Sequence, residues 1–145
     1  MFKHLLLPVD GSELSLRAVD RGIALAATLG ARIHALHVLP PFAAATYFAA
    51  IAQADETIYV ERALARAECI LGEVRHRAQA AGVACESSHE IDGRPYCAIA
   101  AAVSKYHCDM IVMATHGRHG IEKLLLGSVT QKVLLLAEVP VLVCH

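Results

Sequence analysis

Short apolar runs, each ended by a turn signal and followed by helical periodicity, recur along this chain and constrain its fold more than any other feature. Leu5-Leu6-Leu7-Pro8-Val9 stops at Asp10-Gly11-Ser12, which reads as a turn and a helix N-cap. Ala18, Val19, Gly22, Ile23, Ala26 and Leu29 then recur at helical spacing, and Gly30 stands where a C-cap belongs. Arg32 to Leu39 is a second strand, stopped by Pro40-Pro41. A long helix follows from Asp55 to Ala81, with Ile58, Leu64, Ala67, Leu71, Val74 and Ala78 on one face. Val83 to Ile91 is a third strand, and Asp92-Gly93-Arg94-Pro95 turns into a helix over Tyr96 to Tyr106. Asp109 to Ala114 is a fourth strand, Val129 to Ala137 a final helix, and Val139 to Cys144 a fifth strand.

Strands that alternate with helices build a parallel sheet with right-handed crossovers, so the expected fold is a doubly wound α/β domain spanning residues 1–145. The near-continuous apolar strands Leu5–Val9 and Met110–Ala114 suit a sheet covered on both faces. Ligands of such sheets bind beyond the carboxyl ends of the strands, near the switch point. Those ends are Pro8-Val9-Asp10, His37-Val38-Leu39 and Met113 to His116. Pro40 to Gln53, part of an apolar connection over residues 40–54, is too long for an ordinary turn. It reads as a short helix packed on the core, or as a lid or protein-partner surface using Phe42, Tyr47, Phe48 and Ile51.

Composition narrows the function classes. The net charge of −1 offers no basic field, which argues against nucleic acid as a partner. Despite 56% hydrophobic residues, no run reaches the roughly 18 apolar residues of a membrane span. The start of the chain has too short an apolar run for a signal peptide, so the expectation is a cytoplasmic protein. The five cysteines lack C-x-x-C spacing and read as small buried hydrophobes in a reducing compartment. Cys97 and Cys144 are where a redox role would lie.

The stretch Met113-Ala114-Thr115-His116-Gly117-Arg118-His119-Gly120, with Gly127-Ser128-Val129-Thr130 beyond it, has the makings of an anion cradle. Glycines let N–H groups turn toward a ligand, and a helix N-terminus adds unpaired donors. Arg118 and Lys123 add positive charge beside it, as ordinary surface residues also would. His116 and His119 have no third ligand at a natural spacing, and His34 and His37 fall on opposite faces of a strand, so no metal site is expected. A Walker lysine is absent from the sequence, and no nucleophile with a partnered base is visible in it, so no catalytic residue is assigned.

The chain resembles the universal stress protein family over nearly its whole length. The resemblance is carried by Leu7-Pro8-Val9-Asp10-Gly11-Ser12-Glu13, Leu36-His37-Val38, Gly93-Arg94-Pro95, Asp109 through Gly117, Leu124 through Val129, and Val139-Pro140-Val141-Leu142-Val143. It implies a strand order of 3-2-1-4-5 and a homodimer joined through the fifth strand, Val139–Cys144. It also implies a stress-response regulator that binds ATP, isolated also with AMP or ADP, with Mg accompanying the phosphates. A non-nucleotide dimeric interaction module or a slow ATPase are the alternatives. By the resemblance, Asp10 and Val38 flank the adenine, the Val38 backbone reads its edge, and Pro8 and Val9 give apolar contact. Asp10 also suits the ribose hydroxyls, or simply the turn before the first helix. Gly117, Gly127, Ser128, Val129 and Thr130 supply N–H and hydroxyl groups to the phosphates, with Met113, Ala114 and His116 leading into the loop.

ATP-binding members carry G-x-x-G, nine residues, then G-[S/T]. Gly117, Gly127 and Ser128 match that pattern, and Ala114 stands in place of the first glycine. A methyl directed away from the ligand is harmless there; one directed into the ribose or α-phosphate space blocks it.

Overall fold

The structure, a computed structural model, describes residues 1–44, 55–116 and 126–145. Its strands are β1 (His4–Pro8), β2 (Arg32–Leu39), β3 (Cys85–Ile91), β4 (Met110–Ala114) and β5 (Val141–Cys144). They form one parallel sheet in the order β3-β2-β1-β4-β5. The helices are α1 (Glu13–Leu29), α2 (Glu56–Ala80), α3 (Pro95–Lys105) and α4 (Ser128–Leu136). The expected doubly wound fold and strand order are therefore both present.

Side-chain parity along the strands divides the core into two layers. Leu5, Leu7, Ile33, Ala35, Val112 and Ala114 pack beneath α1 and α2. Leu6, Leu36, Ile111 and Met113 pack on the opposite face, with Ile99, Ala102 and Val103 of α3 and Val133 of α4. Ser12 caps α1 by accepting from the Ser15 N–H, and Gly30 closes it in the left-handed region at φ 62°. Gly22 lets α1 settle onto the sheet, because a Cβ there would lie 2.5 Å from Leu7 Cδ2.

The long helix departs from its expected burial. Ala67, Leu71, Val74 and Ala78 are buried, whereas Ile58 and Leu64 are 48% and 37% exposed. The reason is length. A helix of 25 residues runs about 37 Å, whereas a seven-residue strand spans about 23 Å, so the first turns of α2 overhang the sheet. Phe42, in a short helical turn after β2, packs its ring 5.3 Å from that of Tyr59 on this overhang. The rest of the proposed lid or partner segment, including Tyr47, Phe48 and Ile51, lies outside the described residues. The fifth strand starts at Val141 rather than Val139, where Val141 pairs with Ile111.

The cysteines also differ from expectation. Cys108 and Cys144 are buried, Cys85 and Cys97 are half-buried, and Cys69 is exposed on α2. Burial pushes the Cys108 thiol up to about 11 and raises that of Cys144, which keeps both protonated and unreactive near neutral pH. Among the described residues, no helix is long and apolar enough to cross a membrane.

Candidate functional site

The switch point lies between β1 and β4, whose successor helices α1 and α4 sit on opposite faces of the sheet. At the end of β1, the Asp10 carboxylate accepts from the Ser12 N–H at 2.9 Å, while the Asp10 N–H donates to Ser15 Oγ at 3.2 Å. Asp10 thus shapes the turn, and the N-cap itself is Ser12. Pro8 and Asp10 are half-buried, and Val9 is buried in the α1-side core.

His37 joins the ends of β1 and β2. Its ring is buried, and Nδ1 lies 2.7 Å from the Val9 carbonyl oxygen. A carbonyl only accepts, so Nδ1 carries the proton. This contact fixes the step from Val9 to Asp10 beside Val38, which is half-buried on the other face. The odd spacing of His34 and His37 puts them on opposite faces, as observed, whereas the carbonyl that His37 meets lies 28 residues away.

The end of β4 meets the start of α4. Met113 and Ala114 are both buried, Met113 in the α3–α4 layer and Ala114 in the α1–α2 layer. Their side chains are thus committed to the core, leaving main-chain groups for any cradle. Ala114 is a strand residue paired with Cys144, and His107 alone among described non-glycine residues has positive φ. The Gly127 N–H donates to the Thr115 carbonyl at 2.6 Å, and the buried Thr130 hydroxyl donates to the Ala114 carbonyl at 2.9 Å. The Thr130 hydroxyl proton thus anchors α4 to β4. Thr115, buried, donates its N–H to Cys144, and its hydroxyl lies 3.1 Å from His116 Nδ1.

Gly127 is the N-cap of α4, and its extended backbone (φ −68°) supplies no capping side chain. Ser128 is exposed and Val129 half-buried, and among the described residues no side-chain hydrogen bond caps the first turn of α4, which starts beside the end of β4. Such a turn suits a phosphate group. The structure brings Asp10, Val38, Ala114, His116, Gly127, Ser128, Val129 and Thr130 to the carboxyl side of the sheet. Gly117, with Arg118, His119, Gly120 and Lys123, lies outside the described residues.

An open parallel sheet with its switch point between β1 and β4 defines a doubly wound α/β protein. The universal stress protein family model matches residues 1–145, and the chain belongs to that family. A universal stress protein of Thermus aquaticus is 38% identical over 98% of this chain and 98% of its own length. One from Methanocaldococcus jannaschii is 30% identical over 99% of this chain and 82% of its own. Among solved structures, a universal stress protein in complex with cAMP superposes with a TM-score of 0.73 at 27% identity, covering 99% of this chain and 97% of that one.

Proposed function

We propose that this chain binds ATP, accompanied by Mg, at the switch point, and acts as a homodimeric regulator in the stress response. The observation that carries the nucleotide reading is the convergence of the end of β1, the end of β4 and a first turn of α4 that no described side chain caps. The Gly127 N–H bond to the Thr115 carbonyl (2.6 Å) holds that convergence together. Asp10 and Val38 would flank the base, and Gly127, Ser128 and Val129 would meet the phosphates through main-chain N–H and hydroxyl groups. The core position of the Ala114 side chain supports this, because its methyl occupies packing space beneath α1 rather than open cleft. The relative with cAMP supports a nucleotide ligand in general. For the dimer, support comes from β5, which is an edge strand with Leu142 38% exposed, beside an α4 that leaves Leu135 85% exposed.

Mass analysis of nucleotide released from denatured purified protein, with calorimetry of added ATP-Mg, tests the site. Stoichiometric adenine nucleotide is the expected result. An empty protein that also gives no binding heat overturns the reading. Light scattering after gel filtration reads the dimer, and a monomer at micromolar concentration removes that half of the proposal.

A further inference from the structure

A second constellation lies away from the switch point, on the α3 side of β2 and β3. His34 pairs in register with Glu86, and Ser88 is the next residue on that face of the edge strand β3. Ser88 Oγ lies 2.8 Å from His34 Nε2, while His34 Nδ1 faces the Glu86 carboxylate at 3.9 Å. The Tyr106 ring stacks on the imidazole at 3.7 Å and 16°, fixing its plane. Serine, imidazole and carboxylate thus stand in the order that activates a hydroxyl nucleophile.

We propose that Ser88 is a nucleophile activated by His34, with Glu86 as its positioning residue, and that it accepts acyl groups from small esters with aliphatic acyl chains. At 3.9 Å the Glu86 carboxylate makes no hydrogen bond to Nδ1, but its charge favours the tautomer protonated there, leaving the Nε2 lone pair for the Ser88 hydroxyl. Burial, with His4, Lys105 and Arg32 nearby, lowers the His34 pKa, so the imidazole is a free base at neutral pH; Glu86 acts in the opposite sense. Even-numbered residues of β3 direct their main-chain bonds to β2, as the Ala84 carbonyl and the Asp92 N–H do. By that alternation the His89 N–H points away from β2, at the outer edge of the sheet among the described residues, and would be the main-chain donor next in sequence to Ser88 for an oxyanion. A groove of about 260 Å³ begins at Glu90, the next residue on that face, and continues past Ile91, Ala98, Ala101, Ala102 and Lys105. Its largely apolar wall suits a short acyl chain.

In the reaction, Ser88 Oγ bonds to the acyl carbon as its proton passes to Nε2, and the carbonyl pair moves onto oxygen. Collapse of that adduct breaks the ester bond, and the departing alkoxide takes the proton from Nε2. Water then attacks the acyl-serine with its proton passing to Nε2. The second collapse expels Ser88 Oγ, which is reprotonated by His34. The net change is ester and water to acid and alcohol.

The test combines a fluorophosphonate probe, mapped by mass spectrometry, with hydrolysis of p-nitrophenyl butyrate. Ser88 should label at least tenfold faster than the exposed Ser104, and Ser88→Ala should remove at least tenfold of the ester turnover. Glu86→Gln should lower the rate and move the pH profile, which a merely structural carboxylate would not do. Because His34 is a core residue, Ser88→Ala with an unchanged circular dichroism spectrum is the deciding variant. A serine that only satisfies a buried imidazole labels no faster than Ser104, and that result overturns the proposal, as does turnover undiminished in Ser88→Ala.

Discussion

Ala114→Gly separates the two roles that the methyl at the end of β4 could have. The side chain is 6% exposed and packs with Val112, Cys144 and the α1 residues. Removing one buried methyl forfeits about 0.8 kcal/mol of transfer free energy. A glycine in a strand adds about 0.5–1 kcal/mol through backbone entropy. The sum is a loss of roughly 1.5 kcal/mol, a fall in Tm of about 4 °C for a domain of this size. Nucleotide affinity should change less than threefold, because the methyl lies in the core and the backbone is already in a strand conformation that alanine adopts freely. Chemical denaturation reads the first quantity and calorimetry with ATP-Mg the second. If the family glycine were needed for ligand space, restoring it would tighten binding tenfold or more, equivalent to about 1.4 kcal/mol. Such a gain, with stability intact, refutes the placement of this methyl.

Thr130→Val leaves the buried Ala114 carbonyl without its 2.9 Å donor, so denaturation should show a loss of about 1–3 kcal/mol, largely restored by serine at that position. Nucleotide affinity should fall with it, since the same bond holds α4 against β4. Acid should also destabilise the fold near the amino ends of β1 and β2, where His4 and His34 are buried with their rings 6.2 Å apart. Among the described residues, no hydrogen bond of good geometry reaches either ring nitrogen of His4 or Nδ1 of His34. Desolvation first lowers both pKa values from 6.5, helped by Arg32 at His4 and by His4, Lys105 and Arg32 at His34, against the pull of Glu86 on both and of the His107 and Tyr106 backbone on His4. The folded state therefore binds fewer protons than the unfolded one, and stability is full above pH 6.5 and lost as pH falls below it. Urea titrations from pH 8 to pH 5 should show a slope of up to about 1.4 kcal/mol per pH unit for each histidine, and a flat profile contradicts the burial argument.

What was legible in the sequence follows from the range of the physics involved. Element type rests on local periodicity, so every major strand and helix could be read from a dozen neighbouring residues, and Gly30 and Ser12 marked the ends of α1. The strand order came from the resemblance, because local patterning does not say which strands are neighbours. Periodicity puts Ile58 and Leu64 on the buried face of α2 yet both are exposed, because it reports a face but not where the sheet beneath it stops. Cys69 was misread as buried because its apolar neighbours in sequence are not its neighbours across the helix surface.

The remaining differences concern parity and register. Alternation along β4 already puts Met113 and Ala114 on opposite faces, yet only the α1–α2 and α3–α4 layers say which face is which. That assignment puts the Ala114 methyl in the α1–α2 layer, where the sequence leaves its direction open. The contacts of His37 with Val9 and of His34 with Ser88 span 28 and 54 residues, and each depends on the register of β2 against a neighbouring strand. A slip of one residue would exchange the two histidines between faces, sending His34 toward α2 and His37 toward α3. The register of β2 therefore sets both constellations at once: the latch beside the switch point and the imidazole beside Ser88. A perturbation that shifts β2 must disturb both, whereas Ser88→Ala touches only the second.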